Sequence, residues 1–230
     1  MEILLEKSAY QSVDAGMSAK FTRLTFVARP NGFCIRASDA ARSVLVEHYI
    51  DRMFTRQYTP GRPFSIPYLR VGLPGTDRVH LRVQGSVLVA QWSGKGLLLE
   101  RHIYLLENEA PSMDESLAPP SLFTIGLSVF QRLIKMTDSD LEVNVGKEEV
   151  VLQGVSSTGL SIVGKVPSTS RVAGTFILPK VHLEKVPKYL GYISVSMGAD
   201  ERGVVVMSLE MVGVVTTITV ACAVVFFNAS

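Results

Sequence analysis

Apolar side chains recur at every second position in short runs along most of the chain. Val79-His80-Leu81-Arg82-Val83 and Ile193-Ser194-Val195-Ser196-Met197 alternate cleanly, which predicts strands with one buried face. Leu24 to Val27, Phe33 to Arg36, Val44 to His48 and Val87 to Trp92 are further β-rich runs, punctuated by Asn31-Gly32, Pro74-Gly75 and Ser93-Gly94. The second half continues with Leu141 to Val145, Val150 to Gln153, Leu160 to Val163, Val204 to Leu209 and Thr217 to Ala223. The spacing changes to a helical one at Leu127, Phe130, Leu133 and Ile134, which predicts a helix over 127–136. Weaker helical patterns cover 9–19, 67–73 and 179–190, so each half is expected to carry two helices. Pro67 and Pro179 stand at the favoured first helical position.

These features come in the same order twice. Phe64-Ser65-Ile66-Pro67 answers Phe176-Ile177-Leu178-Pro179, each a strand closing on a proline. Leu24 to Val27 answers Leu141 to Asn144, Val79 to Val83 answers Ile193 to Met197, and Val87 to Trp92 answers Val204 to Leu209. The order reads as a tandem duplication of one α+β unit, about 110 residues per copy. Between the copies, residues 107–120 hold four acidic residues, three prolines and no basic residue, with no strand or helix period. The expected organisation is therefore a domain at 1–106, an extended connector at 107–120 and a second domain at 121–230. Met113 and Leu117 are apolar in that polar connector, which suggests that it lies against something.

Charge changes the picture more than composition does. The chain has 23 Lys+Arg against 21 Asp+Glu, so a role on nucleic acid requires its basic residues to gather on one face. They do segregate by element. Tyr10, Lys20, Arg70, Arg132, Lys135, Lys180, Lys185 and Lys188 lie on or beside the predicted helices, where Asp14 and Glu184 are the acidic residues. A basic helical layer would attract phosphates without reading bases; a merely solvated face is the plainer account of any single residue. Enzyme motifs are missing: no GxxxxGK[ST], GxGxxG or GxSxG occurs, and the two cysteines and four histidines have no metal-ligand spacing. Neither enzymatic activity nor a cofactor is expected. The apolar run near Met1 is too short for a signal peptide, and uncharged Met211 to Ser230, rich in β-branched residues, fits buried strands better than a membrane anchor.

The run Asn31-Gly32-Phe33-Cys34-Ile35-Arg36-Ala37-Ser38-Asp39-Ala40-Ala41-Arg42-Ser43-Val44-Leu45, with the duplication and the acidic connector, resembles the sliding clamps of the proliferating cell nuclear antigen (PCNA) family, in an archaeal-like form. Asp39 occupies the family aspartate, and Val204 to Ala223 resembles the family's closing strands. The resemblance covers essentially the whole chain. It departs at Ser38, where the family often has methionine, at Val220-Ala221-Cys222-Ala223, where Leu-Ala-Pro is usual, and in a tail without acidic residues.

The resemblance implies a clamp-type α+β fold, with sheets outside and helices on one inner face, assembling as a trimeric ring around duplex DNA. The departures point to a possible heterotrimer of specialised subunits. Lys20, Arg70, Arg132, Lys135, Lys180, Lys185 and Lys188 would face DNA. Subunits would join through Ile103, Tyr104 and Leu105 on one side and Leu160 and Ile162 on the other. DNA polymerase, flap nuclease, ligase and the clamp loader would dock at Ser38, Ala40, Arg42, Met113, Leu117, Ala118, Pro119, Ala221, Cys222 and Ala223. An intracellular, nucleoid-associated processivity factor follows, the alternative being a clamp-fold interaction scaffold or checkpoint-type ring subunit.

Overall fold

The computed structural model describes residues 1–16, 21–38, 44–106, 121–170, 173–183, 194–199, 204–211, 214–221 and 223–228. Two compact units divide the chain, Met1–Met113 with Met211–Thr216 and Asp114–Glu210 with Thr217–Ser230. The first runs β1 (Glu2–Glu6), α1 (Lys7–Gly16), β2 (Arg23–Arg29), β3 (Gly32–Ser38), β4 (Val44–Asp51), a 3-10 turn (Arg52–Phe54), β5 (Thr55–Thr59), β6 (Phe64–Pro67), β7 (Arg78–Gln84), β8 (Val87–Gly94) and β9 (Leu97–Tyr104). Its strands pair antiparallel in the orders β5-β1-β7-β8-β9 and β4-β3-β2-β6. Alternation places Ile3, Leu5, Val79, Leu81, Ala90 and Trp92 in the core. Phe26 and Phe64 stack at 4.8 Å between the paired strands β2 and β6. Helix α1 buries Ala9, Tyr10 and Val13 over β1, β4 and β7.

From Ser121 the chain runs β10 (Ser121–Gly126), α2 (Leu127–Met136), β11 (Leu141–Val145), β12 (Glu149–Val155), β13 (Ser161–Pro167), β14 (Ala173–Leu178), α3 (Lys180–Leu183), β15 (Ser194–Ala199), β16 (Val204–Met211), β17 (Val214–Ala221) and β18 (Ala223–Asn228), all in the second unit except the end of β16 and the start of β17. Its pairings follow the orders β13-β12-β11-β14-β18 and β10-β15-β16. Helix α2 buries Leu127, Phe130 and Leu133 over β10, β13 and β15, the counterparts of the strands beneath α1.

The repeat extends to register. Leu24 faces Ile66 as Leu141 faces Leu178, and Thr25 faces Arg36 as Glu142 faces Gln153. One alignment changes: Val79 opposite Trp92 answers Val195 opposite Leu209, so Val195, not Ile193, is the partner of Val79. The chain leaving β9 touches back on β6 through a single bridge at Ser65 and Leu106. In the second unit the chain leaving β17 becomes β18 and runs along β14.

The helix expected at 67–73 does not form. Pro67 ends β6, and the following loop finds its partners in side chains instead. Asp14 accepts from Val71 N at 2.8 Å and Gly72 N at 2.7 Å, Tyr10 Oη donates to Thr76 O at 2.5 Å, and Trp92 Nε1 donates to Val71 O at 2.7 Å. A seven-residue helix would gain few internal bonds for its nucleation cost, while these anchors satisfy the loop directly. Gly72 lies so close that an added Cβ would fall 2.3 Å from the Tyr10 ring. Of the helix expected at 179–190, α3 covers 180–183; residues 184–190 lie outside the described ones.

Candidate functional site

Helix α2 carries the clearest basic face. Its apolar stripe faces inward, which leaves Ser128, Arg132 and Lys135 exposed on the other side. Lys135 lies in the last turn, where a cation is favoured by the helix dipole. The same helix end is closed by Thr137, whose N–H and hydroxyl donate to Leu133 O at 3.1 and 3.0 Å.

Lys180 is turned to a different use from the expected one. Its ammonium donates to Ile134 O and Thr137 O, which caps α2, and its own N–H donates to Asp140 Oδ1 at 2.8 Å. Arg70 is exposed on the loop after β6, not on a helix, and stands 3.9 Å from Asp14. Burial pushes the Asp14 carboxyl up, while the Gly72 and Val71 N–H groups and Arg70 pull it down. Tyr10 spends its hydroxyl on Thr76, so it is an anchor of the loop and not part of a solvent-facing surface. Lys20, Lys185 and Lys188 lie outside the described residues. Lys7, exposed at the first position of α1, escaped the sequence reading because that helix was placed to begin at Ala9.

The second feature is a pair of open sheet edges. Among the described residues no strand lies beyond β9 in its sheet or beyond β13 in the other. Leu105 N donates to Ser86 O at 2.9 Å, so the odd positions of β9 bond to β8, and Leu98, Glu100, His102 and Tyr104 direct their backbone groups outward. Ser168 N donates to Glu148 O and Ser156 N to Leu160 O, so the even positions of β13 bond to β12. Ser161, Val163 and Lys165 then point theirs outward. Both edges expose apolar side chains: Leu98 is 70% exposed, Tyr104 78% and Leu160 66%, whereas Ile103, Leu105 and Ile162 are half-buried. Long apolar edges are rare in a chain that works alone, because they template pairing with another chain.

The candidate docking residues are less assembled. Ser38 ends β3, Ala221 ends β17 and Ala223 begins β18, while Ala40, Arg42, Met113, Leu117, Ala118, Pro119 and Cys222 lie outside the described residues. Among the described residues no three His, Cys, Asp or Glu side chains converge as metal ligands, and no helix is long and apolar enough to cross a membrane.

Solved structures match the chain over nearly its full length. A proliferating cellular nuclear antigen from Entamoeba histolytica superposes with a TM-score of 0.76 at 13% identity, covering 96% of this chain and 98% of that one. The chain has the fold of a PCNA sliding clamp. The PCNA2-PCNA3 complex from Sulfolobus tokodaii matches with a TM-score of 0.73 at 11% identity, over 96% of this chain and 99% of that one. A. fulgidus PCNA bound to the C-terminal region of FEN-1 matches with a TM-score of 0.72 at 14% identity, over 98% and 99%. No protein-family profile and no curated protein matches in sequence. The clamp fold is thus carried by burial pattern and pairing order, with few identical residues.

Proposed function

We propose that this chain is a subunit of a DNA sliding clamp, a non-enzymatic ring that encircles duplex DNA and tethers replication and repair enzymes. The observation that carries the reading is the full-length clamp fold. The exposed cations of α2 and the two unpaired apolar edges support it. Domains at 1–106 and 121–230, joined by the connector 107–120, form a protomer, and three protomers close a ring through β9 and β13. Sister subunits could replace identical copies, as the two-protein composition of the S. tokodaii complex illustrates for that protein. Flap nuclease, polymerase, ligase and the clamp loader are the expected partners, of which the first is suggested by the A. fulgidus complex. The protein works inside the cell, on DNA.

Reversing Arg132 and Lys135 to glutamate tests the DNA-facing assignment. Both side chains are exposed, so fold and assembly mass should survive while retention on circular primed DNA and stimulation of a partner polymerase fall. Unchanged stimulation overturns the assignment. The scaffold reading has one observation in its favour: Lys180 is spent on capping α2 and Arg70 sits beside Asp14, which thins the cationic face. An assembly that binds client peptides yet never resides on DNA would select it.

A further inference from the structure

The outer face of the sheet β13-β12-β11-β14-β18 carries a recess of about 430 Å³ at the end nearest the β11–β12 turn. Alternation along the strands builds it. Val143, Val145, Val150, Leu152 and Phe176 turn into the core, so Asn144, Glu149, Val151 and Thr175 stand on the opposite face. Asn144 lies opposite both Val151 and Thr175, which makes one tall row across β12, β11 and β14. The next row sets Glu149 beside Gly146, whose N–H donates to Glu149 O at 2.9 Å, with Ala173 beyond. Gly146 has no side chain and Ala173 only a methyl, so that row leaves the space open.

The polar groups of the recess are mostly acceptors. Thr175 Oγ1 spends its proton on Asn144 Oδ1 at 2.6 Å, so its lone pairs remain. One Asn144 N–H goes to Glu142 Oε1 at 2.8 Å, which leaves one donor. Glu149 gives Oε1 to the Lys165 ammonium at 2.9 Å, and among the described residues nothing holds its Oε2. Around this end of the sheet the carboxylates of Glu142, Glu148 and Glu149 outnumber the ammonium groups of Lys147 and Lys165. Val151 and Ala173 supply an apolar wall.

We propose that the recess binds an alkylammonium group, with the nitrogen between Glu149 Oε2 and Thr175 Oγ1 and the methylene stem against Val151 and Ala173. A guanidinium fits it less well. Its planar fork matches both oxygens of a carboxylate, and Lys165 already holds one of them, whereas an ammonium is a compact charge with rotatable donors. The Lys165–Glu149 pair is exposed and contributes little stability, so it does not bar a second cation. The chemistry is that of a lysine side chain on a partner protein or of a free aliphatic diamine. Strands β12, β11 and β14 are interior ones, so the site draws on neither the open edge at β13 nor the assembly reading.

Titrating the full-length chain with Nα-acetyl-lysine N-methylamide while following the amide signals of Gly146, Gly174 and Thr175 tests the site. Saturable shifts confined to β11, β12 and β14 are expected. Nα-acetyl-norleucine N-methylamide, which keeps the stem without the ammonium, should leave those signals unmoved. Glu149→Gln should weaken binding about tenfold, because a hydrogen bond to a charged group contributes more than a neutral one. Thr175→Val should weaken it less, and Thr175→Ser should restore it. Lys165→Met should tighten it by returning Glu149 Oε1 to the recess, a direction that a merely structural role would not produce. Putrescine binding more tightly than the lysine compound assigns the site to a free diamine, and the reverse order assigns it to a protein lysine. The proposal is overturned by absent shifts, by equal shifts with the norleucine compound, by tighter binding of the arginine counterpart, or by binding that Glu149→Gln leaves unchanged.

Discussion

His48 is fully buried in β4, and burial pulls its imidazole down to about 3. An unfolded histidine titrates near 6.5, so between these values the unfolded state binds the extra proton and the folded state does not. The contribution is complete above pH 6.5 and is lost as pH falls towards 3. Stability measured by urea unfolding should decline across that window with a slope of up to about 1.4 kcal/mol per pH unit from this group. His48→Leu should flatten the slope, and an unchanged slope in that variant would assign the acid sensitivity elsewhere. Asp14 is a second residue whose role is local. Its two carboxylate oxygens take the Val71 and Gly72 N–H groups, so Asp14→Ala leaves both without that acceptor and should cost about 1–3 kcal/mol. Faster amide exchange at Val71 and Gly72 would locate the loss in the loop; Asp14→Asn should recover part of it.

Helix α2 shows how an element recruits a residue far along the chain. Lys180, at the start of α3, reaches the last carbonyls of α2, a bond closed over more than forty residues of sequence. Lys180→Met should lower stability by about 2 kcal/mol, since hydrogen bonds to a charged group are worth more than neutral ones, and should leave DNA retention nearly unchanged. A variant that keeps its stability but loses DNA retention would return Lys180 to the phosphate-facing set. This use could not be read from the sequence, because a lysine beside a helix looks the same whether it meets a carbonyl or a phosphate. What could be read was whatever rested on period alone. The stripe Leu127, Phe130, Leu133 places α2 at Leu127–Met136, and the alternation at 141–145 places β11. Short strands without strong alternation escaped. β1 has five residues, β5 is a polar Thr55–Thr59 run with exposed Arg56 and Gln57, and β10 starts beside the connector. Pro67 misled because proline suits the end of an edge strand as well as the start of a helix, and β6 is an edge within its unit. Arg70 consequently sits on a loop. The open edges β9 and β13 were visible through the family resemblance alone; their outward backbone parity is a property of pairing, which composition does not encode.

In the proposed ring, a nearly neutral chain with few exposed cations would hold DNA more by encircling it than by direct affinity. Arg132 and Lys135 are exposed on α2, and the formal net charge is +2. Each phosphate contact contributes a salt slope of about 0.9, so Arg132→Ala with Lys135→Ala should reduce the slope by about 2 per subunit engaged, a change readable in direct binding at low salt. Loaded on a closed circle, the assembly should behave differently. Raising salt weakens the phosphate contacts, yet the proposed ring should stay on the DNA, because leaving it would require an edge contact between β9 and β13 to open. Cutting the circle once should release it at either salt concentration, since the ends offer an exit that no ionic contact blocks. Salt alone releasing the protein from intact circles would mean that it binds as an open assembly, and the unpaired edges would then have to be satisfied in some other way.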